Sequence, residues 1–161
     1  MRKNVLIVLG FFAEWFLFTF SMQQAVIEFS EQQDILDEIE MTNDRYPKVS
    51  VFYWGFPPLK IWLEKNRIEK ILNDLTTDSQ TTESLYGLSN RAIAWAYISL
   101  AEIFISVNST DELLELINIQ LSNWAFIGFN IILVGLGVLI VAFRTSAFMK
   151  ERFMKRHNNK K

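Results

Sequence analysis

Few side chains in this sequence are equipped for chemistry. There is no cysteine, and the single histidine, His157, sits among lysines and arginines at the C-terminal end. A thiolate nucleophile, a disulfide framework, a Cys/His zinc site and an imidazole base therefore all lack their side chains. Carboxylates, lysines and hydroxyls remain. Glu14 is the most informative of them, because it stands inside an apolar run, where an ionisable group is costly and turns toward a partner, a cavity or a proton path. Asn130 occupies a second apolar run. Counted inward from Lys3 and Arg144 on antiparallel helices, the two differ in depth by about 4.5 Å, so a Glu14–Asn130 hydrogen bond is geometrically allowed. Such a contact could join the chain's own spans, reach another subunit, or belong to an ion or proton relay.

Other candidates are weaker. Gly10 lies one turn before Glu14, and Gly128 with Gly135 occupies nearly the opposite face from Asn130 with Gly137, so these glycines are candidate positions for close helix packing. Arg91 and Glu102, eleven residues apart, project from nearly one helix face and form a polar stripe on an otherwise apolar segment. Asp34, Asp37 and Glu38 cluster in sequence without the D-x-D-x-D-G spacing of a calcium loop. No phosphate loop, G-x-S-x-G elbow, H-E-x-x-H helix or dinucleotide fingerprint occurs, so neither catalysis nor a cofactor or metal is expected.

The elements that must position these residues follow from hydropathy and charge. The chain has 161 residues, half of them hydrophobic, and its net charge of −2 conceals a segregation into blocks. Residues 5–22 hold one charge and residues 124–143 hold none; at 1.5 Å per residue, about 20 residues cross a hydrocarbon core of roughly 30 Å. The tail 1–4 carries Arg2 and Lys3, the tail 144–161 has a net charge of +6, and the region 23–123 has a net charge of −9. Basic flanks stay cytoplasmic, so the expectation is an all-α, multi-pass membrane protein: two transmembrane helices, N-in and C-in, flanking an extracytoplasmic helical region. The first run would also suit a cleaved secretory signal, although Glu14, Trp15 and the absence of an A-x-A site favour an uncleaved anchor.

Within 23–123, residues 26–44 read as an acidic amphipathic helix, 45–47 as a break and 49–56 as an aromatic turn suited to a membrane interface. From Pro58 a second amphipathic helix repeats apolar residues at three and four, and 76–84 is polar enough to be a linker. Residues 85–107 are apolar almost all round. Basic flanks at both ends favour an even number of crossings, which makes this segment a buried or interfacial helix, with a third span or re-entrant segment as the alternative. Ser109 with Glu112 reads as a capping box opening a helix that runs on into the second span. In the last tail, Arg144, Lys150, Arg152, Lys155 and Arg156 alternate with Phe148, Met149, Phe153 and Met154, as in a helix lying on anionic lipid; no direct nucleic-acid contact is expected.

An order of elements emerges: an N-terminal span, an acidic helix EQQDILDEIEMTNDRYP, an aromatic YWGFPPLKIWL segment, an RAIAWAYISLAEIF helix and a last span ending FRTSAFMKERF. This order resembles small inner-membrane proteins of unknown function carried by bacterial integrating conjugative elements. The resemblance implies the inner membrane and a part in DNA transfer, as an accessory of the secretion apparatus. The expected function is a non-enzymatic subunit docking with other membrane proteins into a larger envelope complex; the alternative is a homo-oligomeric exclusion or pore-forming, holin-like protein.

Overall fold

The computed structural model describes residues 2–39, 49–50, 53, 57–74 and 79–158, and among these it is all-helical. Four helices follow in chain order: α1 Arg2–Ile39, α2 Pro57–Asp74, α3 Ser79–Leu116 and α4 Asn123–Asn158. Three stretches of them, Arg2–Leu36, Thr82–Leu116 and Asn123–Ser146, are long and apolar enough to cross a membrane. The sequence-based count was two, with 85–107 held back by its charges; the third candidate contains that segment.

The chain divides into two compact units. The first comprises Met1–Gln23 and Tyr97–Lys161, and the second Gln24–Ala96. Unit 2 has an apolar core. Leu36 of α1, Ile68 and Ile71 of α2 and Leu85 of α3 form its core, with Ile35 against them. Its buried polar side chains Gln32, Lys60 and Arg67 make hydrogen bonds, with Arg67 Nη2 the one buried atom left over among the described residues of this unit: Gln32 Nε2 donates to the Leu85 carbonyl at 3.4 Å, and Lys60 Nζ donates to the Val49 carbonyl and to Glu64 Oε1, both at 2.8 Å. Arg67 hydrogen-bonds Gln33 and lies 3.8 Å from Glu64. The helix expected from Pro58 begins one residue earlier, at Pro57, whose missing N–H costs nothing in a first turn. Leu85→Ala removes a fully buried side chain from this small core and is expected to cost about 2–5 kcal/mol, measurable as a lower midpoint of thermal unfolding.

Local expectations are revised at two points. Residues 76–78 of the anticipated 76–84 linker lie outside the described residues, but Ser79–Ser84 are already helical as the start of α3. Further on, Ser109 does not cap a new helix. Ser109 Oγ and Thr110 Oγ1 donate to the Ser106 carbonyl at 3.0 and 2.7 Å, so their hydroxyls are held within α3, which runs on to Leu116. The break comes at 117–122. Asn118 takes φ 56°, its N–H donates to the Glu115 carbonyl, and the Ile119 N–H reaches back to the Leu114 carbonyl, a Schellman ending with Asn in place of the usual Gly. Ser122 then caps α4 by accepting the Ala125 N–H at 3.3 Å. A helix continuous from Ser109 into the last span is therefore replaced by a helical hairpin.

The expected break at 45–47 lies outside the described residues. Of the aromatic segment, only Val49, Ser50 and Tyr53 are described. The helix of the basic tail is described to Asn158 and Arg144 is exposed, whereas the side chains of Lys150, Arg152, Lys155 and Arg156 lie outside the described residues.

Candidate functional site: a polar seam in unit 1

Unit 1 joins the first part of α1, the last part of α3 and all of α4. A six-residue connection makes α3 and α4 antiparallel neighbours. Trp15 Nε1 donates to Thr110 Oγ1 at 3.2 Å, tying α1 to α3. Phe18, held edge-to-face by Trp15 with ring centroids 5.9 Å apart, ties α1 to α4 by seating on Gly137. A Cβ placed on Gly137 would come within 2.6 Å of the Phe18 ring and 3.2 Å of Thr19 Cγ2, so only glycine permits this approach. With Phe18 at the level of Gly137 and Trp15 reaching Thr110, nearer the hairpin turn, α1 runs parallel to α4. That differs from the antiparallel arrangement expected of two spans with both ends on one side. Parallel alignment also sets residues 5–22 beside 124–141, so the two apolar runs coincide.

The polarity of this unit is inverted. Its buried positions include Ser21, Ser99, Ser106, Ser109, Thr110, Asn130 and Thr145, beside a few apolar residues such as Phe18, Met22 and Val141. Its exposed positions include many large apolar side chains: Leu9, Phe12 and Phe16 on α1, Tyr97, Phe104 and Ile105 on α3, and Ile131, Ile132, Leu136 and Phe143 on α4. Helix α3 shows the reversal within one element. Its unit 2 part buries Leu85, Leu88, Ala92 and Ala96 with one hydroxyl, Ser89, whereas its unit 1 part buries Ser99, Ser106, Ser109 and Thr110 with one large apolar residue, Leu114, and exposes Tyr97, Ile98, Phe104 and Ile105. The buried hydroxyls at 99, 106 and 109, with Glu102 between them, follow the spacing of a single helix face.

The seam is incompletely satisfied. Glu14 Oε2, Ser106 Oγ, Asn130 Oδ1 and Thr145 Oγ1 are buried without a hydrogen-bond partner. Asn130 Nδ2 donates to the Phe126 carbonyl of its own helix at 2.9 Å. The allowed Glu14–Asn130 hydrogen bond is therefore not formed: Glu14 Oε2 and Asn130 Oδ1 are left over, and the Asn130 amide nitrogen donates within α4. Arg91 and Glu102 do not act together either. Arg91 belongs to unit 2, where its Nε lies 3.1 Å from Glu28 Oε2, while Glu102 belongs to unit 1, is half-buried and has no hydrogen bond or ion pair with a described residue.

Of the glycines singled out for packing, Gly137 alone has a neighbouring element against it; Gly10, Gly128 and Gly135 have nothing within 4 Å of a Cβ position. Trp15, Thr110 and the serine stripe of α3 were not anticipated from sequence. Serines at 99, 106 and 109 inside an apolar segment were the available signal, masked by the reading of Ser109 as a cap. Among the described residues no group of carboxylates and histidines is arranged to hold a metal ion.

No family model, curated protein or solved structure matches this chain. Its function is read from its own geometry.

Proposed function

We propose that this chain is a non-enzymatic integral membrane subunit, in which unit 1 crosses the bilayer with three helices and unit 2 is an aqueous helical body that docks partners in a larger envelope assembly. The observation that carries this reading is the polarity reversal along α3. A helix face of Ile98 and Ile105 turned outward, with Ser99 and Ser106 turned inward, is unfavourable in water and favourable in hydrocarbon, where side-chain hydroxyls bond within the bundle. Three crossings are supported by the Trp15–Thr110 bond, since an α1 that crosses carries residue 110 of α3 to membrane depth.

Orientation follows from charge. With α1 and α4 parallel, Arg2, Lys3 and the 117–122 turn share one side, and the remaining 14 of the 16 basic residues, in 24–96 and 144–161, share the other. Lysine and arginine near the spans hold their side in the cytoplasm, so the N-terminus is outside and unit 2 and the basic tail are inside, the tail against anionic lipid. The arrangement of two crossings, with both ends inside and 23–123 extracytoplasmic, is favoured by one observation: Asp111 and Glu115 are exposed close to the end of α3.

Docking is supported by side chains that the chain itself leaves unmatched. Glu102 is a carboxylate in unit 1 without a partner among the described residues, and Trp62 and Tyr86 are exposed on unit 2. The element order resembling proteins of conjugative elements suggests a conjugative secretion apparatus in the bacterial inner membrane. The alternative, a homo-oligomeric exclusion or pore-forming protein, draws on the unsatisfied polar atoms of unit 1. Copurification in mild detergent at native expression separates the two. Stoichiometric recovery of secretion components, reduced at least severalfold by Glu102→Gln, is the expected result; a homo-oligomer alone moves the reading to the alternative.

A further inference from the structure

Four side chains in the interior of unit 1 each leave an atom unsatisfied, and together they come from all three helices. Their levels along the bundle follow from helix rise, from the Phe18–Gly137 contact for α1 against α4, and from the α3–α4 turn between Leu116 and Asn123 for α3 against α4. Taking Gly137 and Phe18 as one level, Glu14 lies about 6 Å toward the N-terminal end of α1, Ser106 about 6 Å and Asn130 about 10 Å in the same direction, and Thr145 about 12 Å in the opposite one. Three of the four thus fall within about 5 Å of a common level, on the side of the Phe18–Gly137 contact that faces the α3–α4 turn. Ser106 and Asn130 are both more than nine-tenths buried. In a lipid-facing bundle, such atoms cost several kcal/mol each unless something polar meets them.

No described residue meets them. Glu14 Oε2 and Asn130 Oδ1 are both acceptors when the carboxyl is ionised, so they cannot satisfy each other, and the Trp15 indole donor is already engaged by Thr110. What suits a carboxylate, an amide oxygen and a hydroxyl together is a small cation or water, each of which presents positive charge or hydrogen to oxygen. On the far side, the Phe18 ring lies against Gly137, the closest approach of α1 to α4 at any glycine of the bundle.

We infer that unit 1 holds a water-filled seam, entered from the end that bears the α3–α4 turn and closed at Phe18, which admits small monovalent cations to Glu14. The inference rests on the membrane reading of unit 1 and adds to it an aqueous interior. Local opening at Ser106 and Asn130 is all that entry requires.

The chain has no cysteine, so single thiols can be introduced into the intact protein in its native membrane without background. The probe is the silver ion, a monovalent cation that combines with thiols and is excluded from hydrocarbon. Protection of the thiol is read afterwards by maleimide labelling under denaturing conditions. Ser106→Cys and Asn130→Cys report on the seam; Ile105→Cys and Ile132→Cys report on the outward faces. The expected result is protection at 106 and 130 at least tenfold faster than at 105 and 132, slowed at least severalfold when Glu14→Gln is added. Slow protection at all four positions overturns the seam and leaves the membrane reading standing. Fast protection at all four overturns the membrane reading itself. Fast protection at 106 that is indifferent to Glu14→Gln overturns the assignment of the cation to Glu14. Serine to cysteine is nearly volume-conserving, so Ser106 decides by itself should the Asn130 variant fail to accumulate.

Discussion

Gly137→Leu destabilises the folded protein severely, whereas Gly128→Leu and Gly135→Leu, on the same helix, leave it nearly unchanged. All three glycines lie in the same apolar run, and sequence spacing does not rank them. The difference is that a Cβ at 137 meets the Phe18 ring at 2.6 Å and Thr19 at 3.2 Å, while nothing lies within 4 Å of one at 128 or 135. A leucine at 137 must push α1 away, which breaks the Phe18 seat and strains the Trp15–Thr110 bond next to it. Overpacking costs about 1–3 kcal/mol where the surroundings can shift, and a whole leucine against an aromatic ring belongs at or beyond the top of that range. On a chain of this size, about 3 kcal/mol lowers the unfolding midpoint by roughly 6–12 °C. Leucine at 128 or 135 is expected to change it by no more than about 0.5 kcal/mol, as at an open surface position. Thermal melts of the purified proteins in one detergent check both. Phe18→Ala in the Gly137→Ala background should return part of the loss, and the absence of such coupling would show that α1 does not rest on α4 at this point.

A second large effect concerns which side of the membrane the middle of the chain occupies. A reporter inserted between Thr77 and Asp78 should behave as cytoplasmic: green fluorescent protein fluoresces there and alkaline phosphatase stays inactive, as both do after Lys161. Two crossings with both ends inside require the opposite result at 77 and the same result at 161, so the internal position decides. The outcome is close to all-or-none, because phosphatase matures only after export. The physical basis is the pairing of α1 with α4. With Phe18 seated on Gly137 and the hairpin turn at 117–122, α1 and α4 run parallel, so under three crossings the segments that follow them, 24–96 and 144–161, are expected on one side with 14 of the 16 basic residues.

The sequence was most legible where the signal is one-dimensional. Length and lack of charge marked 5–22 and 124–143 as apolar helices, and both lie within helices able to cross a membrane. Spacing at three and four marked the α2 helix, and Leu36, Ile68, Ile71 and Leu85, all drawn from segments read as amphipathic or apolar, became the core of unit 2. It was least legible at 108–122. Ser109 and Glu112 have the spacing of a capping box, but the same serine serves as well mid-helix by bonding the Ser106 carbonyl, and local sequence does not say which. The helix ended instead at Asn118, a residue that adopts the left-handed conformation less readily than glycine and so gave a weak signal.

What the sequence determined by itself is an all-helical chain with long apolar segments, basic ends and no side chains for thiol or imidazole chemistry. Composition and periodicity are properties of single segments, and hydrophobicity acts on each segment wherever it packs. What only the tertiary structure decided is which face of each helix is inside. The serine face of α3 turns inward beside Trp15 and its isoleucine face turns outward, and Gly137 takes the ring of Phe18 while Gly128 and Gly135 take nothing. Those choices depend on which neighbour arrives against a helix. A neighbour from 95 residues away in sequence, as Thr110 is from Trp15, leaves no trace in the local pattern of either segment.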